Sequence, residues 1–351
     1  MTDQQTLIKQ LTDKQCLTAP VELNDILSSP WYIKLLMAFA GWLSALFFFG
    51  FFGITVLDFA DDAGVKIIIG VILLVSAYFV LGAKQSEFLE HVGLAISLTG
   101  QGLLWWAVID YMSYKDAQLW IYLGLAQIAL AWCMPSFLHR IFSAFIAAYA
   151  FNVFMSMLAR IEVFSSVLML ACAWLWLSEF QHKQYIARFR AIAYGFTIAL
   201  LLIKTSYSFN WLWLYPSDRH LTSAFMPWLD EGLNCLILLY VSWQLVNRYQ
   251  LALSSATAIA AFCSVLLVGL ASIYTSGLAL ALMFVVLGFA SSHRILTGLG
   301  VAATLTYLSK YYYSLELTLS EKSLSLFGLG LVLLALAKVC LLWFQPQEDK
   351  R

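Results

Sequence analysis

Charge is what this sequence has least of. Only 11% of its 351 residues are Asp, Glu, Lys or Arg, against 62% hydrophobic, and the mean hydropathy is +0.81. A soluble chain covers its surface with roughly a quarter of its residues charged. With half that supply, most of the outer surface faces something other than water, and lipid is the natural candidate. The 20 basic and 20 acidic residues cancel, and no basic stripe interleaved with aromatics occurs. A nucleic-acid partner is therefore not expected.

Chemical signatures are equally scarce. The six cysteines (Cys16, Cys133, Cys172, Cys235, Cys263, Cys340) are scattered, without a CxxC pair or a Cys/His cluster. Neither a metal centre nor a disulfide framework is expected from them. At least four stand in apolar stretches, where a thiol serves as a small apolar filler. The Walker-type phosphate loop, HExxH and GxSxG are all absent, which leans away from an enzyme. No histidine pair at helical spacing falls within an apolar run, as haem ligation would need, and no cofactor is expected. Residues 1–30 lack an apolar core and a small-residue cleavage site, so they do not read as a secretory signal.

Apolar runs are what is there. Crossing about 30 Å of hydrocarbon takes about 20 apolar residues in a helix. Twelve segments approach that length, centred near Ser44, Leu74, Gly102, Gln127, Ala148, Ala171, Ile198, Leu238, Val265, Met283, Ala303 and Leu333. The expected fold is all-α, a polytopic transmembrane bundle of about twelve spans, with ten or eleven as the alternatives. Several segments are nearer 17 residues than 22, and the run around Ala148 is set off only by the Met134-Pro135-Ser136 break. The expected organisation is a short cytoplasmic segment at 1–30, a transmembrane domain at 31–345 and a cytoplasmic tail at 346–351. Leu7, Ile8 and Leu11 at helical spacing, with Lys9 and Lys14, suggest an amphipathic helix on the inner leaflet.

With twelve helices alternating from a cytoplasmic N-terminus, twelve Lys/Arg fall on the inner side and seven on the outer, Lys338 lying inside the last run. This agrees with the positive-inside rule. Lys66 belongs to the outer set. Asp58, Asp61 and Asp62 crowd the first outer loop, and Asp218, Asp230 and Glu231 the longest, at 210–227. Trp211, Trp213, Tyr215 and Trp228 border that loop, as rings anchored at the headgroups do.

His139-Arg140-Ile141-Phe142-Ser143-Ala144-Phe145 echoes His293-Arg294-Ile295-Leu296-Thr297-Gly298-Leu299, six crossings later. An even separation preserves orientation, so the echo fits a parallel six-plus-six repeat of the kind many transporters contain. Chance similarity in a chain of few residue types explains it equally, with basic residues anchoring cytoplasmic helix ends.

Polar residues inside membranes are functional candidates by default. Gln101, between two glycines, is one; Gln127 and Asn152 are similar. Each alternatively serves as a hydrogen-bonding link between helices. Arg160 and Glu162 flank a tight outer turn. Lys204 follows Ala199-Leu200-Leu201-Leu202-Ile203 and is expected to snorkel outward. Glu179, His182, Lys183, Arg188 and Arg190 read as an inward-facing basic loop. The richest polar group is Lys310, Tyr311, Tyr312, Tyr313, Glu316, Glu321 and Lys322, at the outer end of the eleventh span. Three consecutive tyrosines cover nearly the whole circumference of a helix, so they cannot line one pocket, but Lys310 and Glu316 suit an outer vestibule or docking surface.

Several stretches carry a resemblance. They are Pro30-Trp31-Tyr32-Ile33-Lys34-Leu35-Leu36 with Phe39-Ala40-Gly41-Trp42, then Leu98-Thr99-Gly100-Gln101-Gly102-Leu103-Leu104, then Tyr307 to Leu319 with Glu321-Lys322-Ser323. In this order the blocks resemble the bacterial membrane-protein family catalogued as domain of unknown function 4401. The Tyr311-Tyr312-Tyr313 block is the most specific. The resemblance implies a multi-pass protein of the bacterial inner membrane. It also implies the company of a membrane protein of the related family 2157 and of a protein bearing a GDYXXLXY motif. It implies no activity and no catalytic residues. The readings that follow are a membrane component of a small complex and, alternatively, a secondary transporter or lipid-handling carrier.

Overall fold

A computed structural model describes residues 62–83, 87–112, 116–159, 164–179, 181, 183–209, 226–316 and 318–324, with scattered positions in 32–51 and 327–338. Among the described residues the regular structure is entirely helical. Ten α-helices have defined bounds: α1 Ala63–Gly82, α2 Glu87–Tyr111, α3 Ala117–Cys133, α4 Phe137–Ala159 and α5 Phe164–Ser178, then α6 Ile186–Phe209, α7 Met226–Arg248, α8 Ala256–Tyr274, α9 Leu278–Ala290 and α10 Arg294–Ser314. The described positions within 32–51 and 327–338 are helical as well. Every one of the twelve predicted centres that the structure describes falls inside a helix. The tail at 1–30, the loop at 210–225, Arg160, Glu162, His182 and the segment 346–351 lie outside the described residues.

Local chemistry sets the boundaries. Asp62 caps α1, its carboxylate accepting from the Gly64 amide at 2.9 Å, and Ser255 caps α8 through the Ala258 amide. Pro135 separates α3 from α4, and Pro227 occupies the second position of α7, where a missing N–H costs nothing. Five helices are long and apolar enough to cross a membrane: α1, α2, α4, α6 and α8. The apolar helices α3, α5 and α9 are shorter. Ile68, Ile72, Val75 and Phe79 on α1 and Leu266, Leu267 and Leu270 on α8 are exposed. Such faces are costly in water and at ease in hydrocarbon. The chain is a multi-pass membrane protein.

The hydroxyls follow the same logic. Ser76, Ser264, Thr304 and Thr306 return their protons to the carbonyl four residues back, so no other partner is needed in lipid. Serines that reach across to another helix are the exception, and they mark the sites described below.

The chain forms two compact units, one of residues 1–119 with 133–139 and the other of 120–132 with 140–351. In the first, α1 and α2 pack closely through glycine. A methyl group on Gly70 would meet the Gly100 carbonyl at 2.9 Å, and one on Gly100 would meet that of Gly70 at 2.8 Å. This is the small-residue contact that lets membrane helices approach. Lys66, near the start of α1, bonds Asp110 near the end of α2 and lies over the Trp106 ring, so the helices are antiparallel. Lys66 is thus buried and paired rather than exposed in an outer loop.

In the second unit, Trp176, Leu200, Leu238, Met283 and Phe284 form the apolar core. Helix α9 is only 13 residues long, with eight of them buried. At 1.5 Å per residue it spans about 20 Å, and α5, with 15 residues, about 22 Å. Both are too short to cross the hydrocarbon upright, so their ends fall within its depth or need local support. Those ends carry the candidate site.

Candidate functional site

Lys204 stands five residues before the end of α6 and is almost completely buried. Its ammonium pairs with Asp230 and donates to Glu231 Oε1 at 3.0 Å. Both carboxylates sit in the second turn of α7 and are as buried as the lysine. Two expectations are corrected here. Lys204 does not snorkel outward, because two carboxylates hold it inside. Asp230 and Glu231 are not part of the long loop, because α7 begins before them at Met226 and carries them into the bundle.

Hydroxyls complete the cluster. Asp230 Oδ1 accepts from Ser165 at 2.8 Å and Ser166 at 2.5 Å, both in the first turn of α5. Glu231 Oε2 accepts from Ser272 at 2.5 Å, while Oε1 accepts from Ser276 at 2.8 Å and the Gly277 amide at 3.2 Å. Gly277 is the N-cap of α9 with φ 93°, a left-handed conformation that favours glycine. A methyl group there would also press on the Tyr307 ring at 2.9 Å. Fully buried Asn234 faces Ser166 at 3.0 Å with its Oδ1, and its Nδ2 has no partner among the described residues.

The N-termini of α5 and α9 thus point at the two carboxylates. Partial positive charge at a helix start stabilises an anion, and a buried anion needs that help because desolvation is expensive. The charges still do not cancel. Among the described residues Lys204 is the one basic side chain in contact with either carboxylate. With both carboxylates ionised the cluster carries one negative charge in excess. It is neutral only when it holds one more proton or cation.

The opposite end of α6 carries a second cluster. Glu179, just past α5, is 1% exposed; Oε1 accepts from Arg190 Nε at 2.6 Å, and Oε2 is 2.7 Å from His293 Nε2. The expected basic loop is corrected in part: buried Glu179 pairs with half-buried Arg190. Lys183 lies in a 3-10 turn and Arg188 rests over the rings of Trp132 and Tyr185.

The remaining predicted residues fall as follows. Within the first unit, Gln101 meets His139: Gln101 Nε2 is 3.2 Å from His139 Nε2, and Ser97 Oγ is 2.7 Å from the same nitrogen. Gln127 and Asn152 are 1% exposed. Arg140 is buried, Arg294 exposed. Lys310, Tyr311 and Tyr312 are half-buried at the end of α10, and Tyr313 is exposed, the spread expected of consecutive helical positions. Lys322 lies over the Tyr312 ring at 5.4 Å, which brings two members of that group together. Glu316 is exposed. Glu321 accepts from the Thr318 hydroxyl and amide, which hold its carboxyl below the usual carboxylate range. Among the described residues no group of three His, Cys, Asp or Glu is placed to hold a metal ion.

The family profile described as "Domain of unknown function (DUF4401)" matches residues 30–342. The chain belongs to this family. The match spans all the helices described above, so both ionic clusters of this DUF4401 protein lie within the family's own region. No curated protein and no solved structure matches the chain.

Proposed function

We propose that this DUF4401 protein is a secondary carrier of the bacterial inner membrane, and that the Lys204–Asp230–Glu231 cluster is its coupling centre. One observation carries the reading: a buried cluster of one ammonium and two carboxylates is one positive charge short of neutrality. A proton or small cation supplies that charge. Its arrival and departure change the cost of keeping the cluster buried, which is how a coupling ion biases a two-state carrier. Short helices whose N-termini address charge inside the bundle are a recurrent carrier device. In this carrier about twelve helical segments lie in the membrane, α5 and α9 among them as incomplete crossings, and both termini are cytoplasmic. The parallel half-repeat has the support that His139 and His293 each stand at the opening of a helix after a break.

The test is a pH jump on proteoliposomes adsorbed to a solid-supported membrane. The native protein displaces charge, and Asp230→Asn with Glu231→Gln loses the signal. Equal currents from both proteins, or from protein-free vesicles, overturn the reading.

A second reading has family membership behind it: a membrane component working with a protein of family 2157 and a GDYXXLXY-motif protein. Mild detergent extraction of the tagged chain followed by identification of co-purifying proteins tests it. A chain that reproducibly emerges alone counts against it.

A further inference from the structure

The second cluster occupies the other end of the helix that carries Lys204. Arg190, Tyr194, Thr197 and Lys204 are spaced by four, three and seven residues, so they share one face of α6. Arg190 and Lys204 are 14 positions apart, about 21 Å along the axis. Thr197 is fully buried and receives the Trp176 indole N–H at 3.3 Å. Trp176 in turn lies 5.0 Å from the His293 ring and 4.9 Å from that of Tyr194. Polar groups therefore recur along this face from one ionic cluster to the other.

We propose that His293 is a protonation site at the opposite end of the bundle from the Lys204 cluster, a proposal that rests on the carrier reading above. His293 Nε2 faces Glu179 Oε2 at 2.7 Å, so the proton on that nitrogen belongs to the carboxylate contact. The imidazole gains its second proton at Nδ1 from a hydronium ion of the bathing water, whose O–H bond breaks to leave neutral water, and becomes an imidazolium. The His293 side chain keeps 15% of its surface exposed, which gives the proton access, while Glu179 is sealed. With Arg190 charged and Glu179 ionised, this end moves from neutral to one positive charge.

The surroundings oppose one another. Glu179 and the C-terminal end of α5 present negative charge to His293, and the Trp176 ring lies beside it. Arg190, which shares Glu179 with it, and the start of α10, where His293 is the N-cap residue, present positive charge. Tyr194 is the other titratable group beside the pair, in electrostatic contact with Glu179 and Arg190. The turn from α9 is tied down by the His293 amide, which donates to the Gly288 carbonyl at 2.8 Å. Opposed influences on a partly exposed histidine suit a proton that is taken up and given back.

The test uses the full chain in nanodiscs with ring-15N histidine, followed by NMR as pH is varied. The native protein is expected to show one histidine that passes from the Nε2–H tautomer to imidazolium, and His293→Gln to lack it. Glutamine keeps a donor for Glu179 but has no second protonation site. Glu179→Gln retains His293 and is expected to change its titration, which covers the case in which His293→Gln does not fold. A histidine that stays in one form across the range, or a titration unmoved by Glu179→Gln, overturns the proposal. In the pH-jump assay His293→Gln loses the pH dependence of the current, whereas the Asp230/Glu231 variant loses the current itself. A native pH dependence retained in His293→Gln sinks this proposal alone; a current retained in the Asp230/Glu231 variant sinks the carrier reading.

Discussion

Lys204 donates to Glu231 at 3.0 Å although 26 residues separate them in the chain, and both are more than nine-tenths buried. The contact joins the end of α6 to the start of α7, and Ser272 and Gly277 extend it to α8 and α9. Removing one partner of a buried pair leaves the other charge uncompensated, at a cost of about 3–5 kcal/mol. Lys204→Ala is expected to lower the thermal midpoint in detergent sharply, and Lys204→Arg much less. Intrinsic tryptophan fluorescence on heating measures both. A midpoint for Lys204→Ala equal to that of the native chain contradicts the assigned burial.

Serines separate into two kinds. Ser272 gives its proton to Glu231, whereas Ser264 on the same helix gives it to the Ala260 carbonyl. A hydrogen bond to a charged group contributes about 1.5–3 kcal/mol. Ser272→Ala is expected to destabilise by that order, and Ser264→Ala by less than about 0.5 kcal/mol, as for a surface change. Reversible unfolding in mixed micelles gives the comparison. Equal effects from the two substitutions contradict it.

Glycines divide in the same way. Gly100 faces the Gly70 carbonyl, whereas a methyl group on Gly298 meets nothing within 4 Å. Gly100→Val forces α1 from α2 at a cost of about 1–3 kcal/mol. Gly298→Ala is expected to be neutral or to stabilise α10, since helical glycine is disfavoured by about 0.5–1 kcal/mol relative to alanine. The same unfolding measurement decides, and a larger loss from Gly298→Ala than from Gly100→Val contradicts the packing.

The helical character and the segment centres were legible, because nothing but a run of apolar side chains is needed to read them. Even the α3–α4 break at Pro135 shows in the sequence. The ionic site was not. Lys204 after five apolar residues has the form of a snorkelling lysine, and Asp230-Glu231 after Pro227-Trp228 has the form of a loop end. Only their pairing, across the intervening segment, shows that each is buried. Glu179 was concealed likewise, its partner His293 being 114 residues away. One signal was present: runs shorter than a full crossing, which place helix ends where lipid cannot satisfy them. Gln101 is buried, but its contact with His139 depends on the turn before α4 and is not written in either residue's neighbourhood.

The excess negative charge beside Lys204 is the claim on which the rest turns, and infrared difference spectroscopy of the protein in lipid addresses it most directly. A change in proton or alkali-cation concentration is expected to alter the carboxyl and carboxylate bands of the native spectrum, and the change is expected to be missing from the Asp230→Asn, Glu231→Gln double variant. A native spectrum unmoved by either ion, or the same change in the double variant, contradicts the account.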